Sequence, residues 1–200
     1  VAVNYTDIKI CNLALAKLGE SPITALSENN NRARLLRDLY YLKRDELLRM
    51  HPWGFARKRI ALAQDSEVPL FDFGAQFLIP SDCLKILKID CDSRFSREGN
   101  KILADSTEMF LFYVFRNEDV DTYDSQFVSL FAEYLAIDLA WSLKGSRTLR
   151  ADIFREFQNS LALARNSSAT ESTPLYDMEY EGEGRVMAAR AGRSTRITEY

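Results

Sequence analysis

One stretch, Asp124 to Leu143 (DSQFVSLFAEYLAIDLAWSL), limits what this chain can fold into. Phe127, Leu130, Phe131, Tyr134, Leu135, Ile137 and Trp141 recur at three- and four-residue steps, which predicts a helix. Val128, Leu139 and Leu143 lie off that stripe, so the apolar arc is wide. A helix that is apolar nearly all round has to be surrounded. Ala132, Ala136 and Ala140 form a line of small residues that lets a second helix come close. Each large side chain buried here contributes roughly 1.5–3 kcal/mol. The rest of the chain is therefore expected to cover this helix.

A length of 200 residues allows one domain, or one domain with an inserted subdomain. A hydrophobic content of 46% suffices for a core, and a net charge of -3 supplies no general attraction for a polyanion. Cys11, Cys83 and Cys91 show no CxxC spacing, so free buried thiols are expected rather than a disulfide frame. No apolar run reaches bilayer length and no signal-type segment opens the chain, so the expectation is a soluble product of the cytoplasm with no membrane partner.

In chain order, Tyr5–Leu18 reads as a first helix, capped by Thr6 and ended by Gly19, with Ile10, Leu13, Ala14 and Leu18 inward in a stripe widened by Cys11 and Leu15. A second helix is expected from Ser27 or Glu28 to Met50. Its buried face is Leu35, Leu36, Leu39, Tyr40, Leu47 and Met50, and its outer face is charged, with an Asp45–Arg49 pair. His51-Pro52 stops it, because the residue before proline is pushed out of the α region. Trp53 and Phe55 follow as an aromatic plug.

From Arg59 the period becomes two. A parity slip at Ile86-Leu87 predicts a bulge, and Glu98-Gly99-Asn100 a turn. Met109–Phe115 is apolar on both parities, so it needs cover twice, from its own helices or from another subunit. Gly145 ends the central helix and Ser146 caps the next, which is expected to run to Arg165. A polar linker and a tail, first acidic and then basic, come after it. The expected class is α+β: an antiparallel bundle of about four helices (1–56 and 123–165), a β-rich antiparallel insertion (57–116) and an extended C-terminal docking tail (166–200).

Chemistry-bearing patterns are sparse. His51 is the single histidine, without a partner at a recognisable spacing, and neither a nucleophile elbow nor a zinc-type Cys/His cluster is present. Glu118, Asp119, Asp121 and Asp124 lack the glycine and closing glutamate of a calcium loop. The reading is of a protein that is not an enzyme and needs no cofactor. Arg32, Arg37, Arg44, Arg49 and Asp138 are candidates for contact between subunits, Asp138 because a lone carboxylate among apolar neighbours needs a cation. The arginines from Arg32 to Arg59 leave a nucleic-acid-binding packaging accessory as an alternative. A virion-associated cell-wall hydrolase is another, and it requires a carboxylate pair in a cleft.

Several motifs resemble one family. ICNLALAKLGESPITAL (Ile10 to Leu26) and RDELLRMHPWGFARKRIALA (Arg44 to Ala63) resemble the tail tubular protein A family, the head-to-tail adaptors or gatekeepers of short-tailed phages. The matching positions are Leu18, Gly19, Glu20, Pro22, Leu48, Pro52, Trp53 and Phe55. FLIPSDCLKI (Phe77 to Ile86) resembles the family's strand-proline-strand step.

The resemblance implies a virion protein forming a homo-oligomeric ring of about twelve copies, closed by head-to-tail interfaces. The ring would lie between the portal protein and a tail nozzle of the tail tubular protein B type, with tail fibres as a further partner. Genomic DNA would pass through it without sequence-specific binding. On this reading the tail docks on the portal through Tyr176, Tyr180, Arg185, Met187, Arg190, Arg193 and Arg196, while Glu118, Asp119, Asp121 and Asp124 line the channel.

Overall fold

The computed structural model describes residues 6–171, with side chains to residue 168; the proposed docking tail, Tyr176 to Arg196, lies outside the described residues. The order is α1 (Asp7–Lys17), α2 (Asn31–Met50), β1 (Arg57–Ala61), β2 (Ala75–Leu78), β3 (Cys83–Asp90), β4 (Phe95–Glu98), β5 (Lys101–Ala104), β6 (Phe110–Phe115), α3 (Ser125–Lys144) and α4 (Arg147–Glu171). The fold is α+β, with four helices and two small three-stranded antiparallel sheets among the described residues. No helix there is long and apolar enough to cross a membrane.

The central helix is the expected one. Asp124 caps α3 by accepting from the Phe127 amide at 2.6 Å, and Gly145 closes it in the left-handed region at φ 60°, where glycine carries no Cβ penalty. Helices α1, α2 and α4 each pack on α3. Phe127, Phe131, Leu135, Ala136 and Leu139 are fully buried. Around the start of α3 sits an aromatic cluster: Trp53 meets Phe127 edge-on at 5.2 Å, and Phe55 and Tyr123 each meet it at 4.9 Å. The Trp53 indole N–H donates to the Leu47 carbonyl at 3.1 Å, so the largest buried ring leaves no polar atom unpaired.

Boundaries and faces depart from expectation in specific ways. Leu13 is exposed, while the other residues of the expected stripe of the first helix, Ile10, Cys11, Ala14, Leu15 and Leu18, are buried. The second helix begins at Asn31, not Ser27 or Glu28. The Glu28 carboxylate turns back to accept from Thr24, from the Ala25 amide and from Asn30, closing a turn of its own. Asn30 then accepts from the Ala33 amide at 2.8 Å and becomes the cap. Asp45 does not hold Arg49. It accepts from Arg44 at 2.9 Å and Arg116 at 2.7 Å, while Arg49 donates to the Leu84 carbonyl.

At the other end, α4 continues through Asn166-Ser167-Ser168, where a linker was expected. Ser and Asn each cost only about 0.5 kcal/mol in a helix already nucleated, and Ala164 is packed.

The two sheets have orders β1-β6-β3 and β2-β5-β4. Strand β6 is covered on both faces by its own chain from Leu111 to Val114, whereas Phe110 at its start is about half exposed. Val114 joins the helical core, with Leu84 and Leu87 packed against it. Met109, Leu111 and Tyr113 join Phe77, Ile102 and Ala104 of the second sheet. Strand β3 serves the same two cores: Leu84 and Leu87 on one side, Cys83, Ile86 and Ile89 on the other. Those spacings are odd, and a regular strand would put them on opposite faces. Register shifts between Cys83 and Lys85 and between Ile86 and Lys88 resolve the conflict, the second at the predicted slip.

Candidate functional site

The groups with potential covalent or acid-base chemistry are engaged structurally. The His51 ring lies edge-on to Trp53 at 4.8 Å. Burial, and then Arg165, Arg57 and Lys85, lower its pKa below the ordinary imidazole value. The Cys11 thiol is pushed up to about 12 by burial and by Asp7, so little thiolate exists near neutrality. Burial likewise raises Cys83. No group of three or more His, Cys, Asp or Glu side chains is placed to hold a metal ion among the described residues.

The acidic loop before α3 is partly committed to its own fold. Asp119 accepts from the Asp121 amide at 3.2 Å, and Asp124 is the α3 cap. Glu118 accepts from Arg44 at 3.2 Å. All four acids are exposed, and Asp121 is the one without a side-chain bond of this kind. Buried Asn117 ties the loop to the core, donating to the Phe55 carbonyl at 3.0 Å and the Thr122 hydroxyl at 2.7 Å.

The basic cluster does not form one surface. Arg44, expected on the solvent face, is buried against Asp45 and Glu118, with its guanidinium 5.3 Å from the Tyr41 ring. Arg32 reaches Glu20 at 3.4 Å, Arg49 is held by Leu84, and Arg59 stacks 4.0 Å over Phe112. Arg37 is exposed. Asp138 finds its cations within the chain, Lys43 at 2.9 Å and Arg150 at 3.7 Å. Burial opposes the Lys43 charge, but its bonds to Asp138 and Glu46 outweigh that and hold the ammonium above its ordinary pKa.

Besides scattered exposed side chains such as Leu42, Phe95, Phe110 and Leu163, two groupings of apolar side chains are open to solvent, and sequence periodicity missed both. Trp141, expected in the core, is 48% exposed. With Phe154 and Ile137 it lines a groove of about 640 Å³ between α3 and α4, rimmed by Lys43, Asp138, Arg147 and Arg150. The Arg147 guanidinium lies 5.5 Å from the Trp141 ring, and Arg147 has no ion pair among the described residues. The second feature is the turn between β1 and β2, where Val68, Leu70 and Phe71 are 62%, 98% and 76% exposed.

The feet of that turn are pinned. The Asp65 amide donates to the Gln76 carbonyl at 2.8 Å, and the Gly74 amide to Asp105 at 3.0 Å. Lys101 holds Asp65 and Glu67, and Arg94 bonds Asp105 and the Asp72 carbonyl. The visible signal was Val-Pro-Leu-Phe between acids, an apolar run too short and too turn-like for a strand.

No protein-family model matches the chain, and no curated protein matches it. The resemblance to the tail tubular protein A family therefore stands on the quoted motifs alone.

Proposed function

We propose that this chain is a structural subunit of a virion, a head-to-tail adaptor that assembles into a ring between portal and tail nozzle and forms part of the DNA ejection channel. The observation that carries the reading is surplus apolar surface. The cores around α3 and between the sheets are filled, yet the Trp141–Phe154 groove and the Val68–Phe71 turn still offer large apolar side chains to water. Contiguous exposed apolar side chains of this kind mark binding surfaces.

In this reading the helices act as an antiparallel bundle carrying the sheets as an insertion, and the segment beyond Glu171 docks on the portal. The motifs around Leu18-Gly19-Glu20 and Pro52-Trp53 support the same assignment: they build the α1 terminus, where Gly19 sits at φ 65°, and the aromatic cluster. The exposed acids near Asp121 suit a channel wall, since DNA slides past a surface that makes no tight phosphate contacts.

Electron micrographs of the purified protein, alone and mixed with its cognate portal protein, test this. A closed ring on the portal is expected. A chain that stays monomeric at every concentration and adds nothing to the portal rules the reading out.

A further inference from the structure

We propose that the Val68–Phe71 turn of one copy seats in the Trp141–Phe154 groove of another, with Asp72 of the first facing Arg147 of the second. The proposal rests on the ring reading only for its biological setting; the contact itself is argued from the two surfaces.

The turn is built to project. Its feet are tied by the Lys101 and Arg94 bonds, so Leu70 and Phe71 stand nearly free of their own chain. Asp72 adopts φ 66°, the one non-glycine residue in the left-handed region among the described residues. That conformation, uncommon outside glycine, turns the chain sharply just after Phe71. The Asp72 carboxylate lies in the field of Arg94, whose guanidinium bonds the Asp72 carbonyl and Asp105, so one cation serves two acids there. An apolar tip of this kind has two plausible occupants to meet, a lipid surface or a protein pocket. The acids Asp65, Glu67 and Asp72 disfavour an anionic lipid surface, which attracts basic rather than acidic segments.

The complementary pocket exists on this same chain. Trp141, Phe154 and Ile137 form its apolar floor, and about 640 Å³ accommodates the Leu70 and Phe71 side chains. Its rim carries a basic excess: Lys43 is shared by Glu46 and Asp138, Arg150 reaches Asp138, and Arg147 has no ion pair among the described residues. An acidic excess at the apolar tip (Asp65, Glu67, Asp72 and Asp105 against Lys101 and Arg94) thus meets a basic excess at the apolar floor (Lys43, Arg147 and Arg150 against Asp138 and Glu46). Because tip and groove are different patches, the contact is heterologous, the kind that closes rings or propagates chains.

Complementation between full-length variants tests the contact. Leu70→Asp with Phe71→Asp disables the tip and Phe154→Asp the groove. All three positions are exposed, so unfolding midpoints should match the parent. Each variant alone should lose self-association in sedimentation by about a hundredfold. A mixture should recover one-to-one complexes, and the Trp141 emission of the tip variant should shift to the blue as the intact tip of its partner covers it. Asp72→Arg or Arg147→Glu alone should weaken association about tenfold, and the two reversals in one chain should restore most of it.

The proposal is overturned if the tip variant associates like the parent, if the mixture shows neither complex nor emission shift, or if the reversals add rather than compensate. These outcomes are distinct from failure of the ring reading. A mixture that complements, from a parent that never forms rings with or without portal, keeps this contact and discards the adaptor assignment.

Discussion

Trp53 and Trp141 pack at opposite ends of α3, and the chain treats them in opposite ways. Trp53 is 1% exposed, its indole N–H is bonded to the Leu47 carbonyl, and its ring is enclosed by Phe127 and Phe55. Trp141 is 48% exposed, with the Arg147 guanidinium 5.5 Å from its ring. The helix periodicity is the same at both ends. The difference is the number of elements that arrive: the start of α3 receives the end of α2, the turn after it and the 3-10 turn before α3, whereas the end is flanked by α4 and the middle of α2. An aromatic ring enclosed on all sides serves stability, and one enclosed on one side is available for binding.

Substitution at the two rings gives the largest contrast. Trp53→Ala should destabilise the fold by about 3–5 kcal/mol, because it removes a fully buried ring and leaves a cavity. Trp141→Ala should change stability by about 0.5 kcal/mol or less while abolishing self-association. Urea denaturation of both variants decides the matter, and equal losses would show that the Trp141 end is as enclosed as the other.

The loop leading into the enclosed end gives a smaller effect. Asn117→Ala should cost about 1–3 kcal/mol, since the Phe55 carbonyl loses a donor and the Thr122 hydroxyl a partner. The same denaturation curves read it, and a neutral result would mean the loop does not hold the aromatic cluster.

A shape-conserving comparison that removes the charge follows at Asp124. Asp124→Ala should cost about 1 kcal/mol through the lost α3 cap, and Asp124→Asn only a few tenths. If the asparagine variant alters DNA passage in assembled particles while remaining stable, the carboxylate has a channel role beyond capping.

The smallest effect is a pH dependence far from either tryptophan. Bonds from Thr24 first, then Ala25 and Asn30, hold Glu28 down at about 2, below its ordinary 4.5. The folded-state value is the lower one. The stabilisation is therefore complete above pH 4.5 and fades as the pH falls from 4.5 toward 2. Glu28→Gln should flatten that part of the acid-unfolding curve and leave the neutral region little changed.

Much of the fold was legible from local rules. Thr6, Asp124, Gly145 and Ser146 cap or close helices where their chemistry requires it, because capping is settled within one turn of chain. The bulge at Leu87 was visible as a parity slip, and the double burial of β6 as a run without polar alternation. The start of α2 was not legible, since Glu28 and Asn30 are both plausible caps and only the fold of the 24–28 turn chose between them. Arg44 looked like a surface charge because its partners Asp45 and Glu118 meet around it only after the loop before α3 folds back.

What the amino-acid order determined alone is the set of elements and the amount of apolar surface to be hidden, because both follow from spacing and side-chain chemistry within a few residues. What tertiary structure decided is which of that surface stays open. Burial is a property of neighbours brought from far along the chain. The same helical stripe thus ends in a sealed core at Phe127 and in an uncovered groove at Trp141.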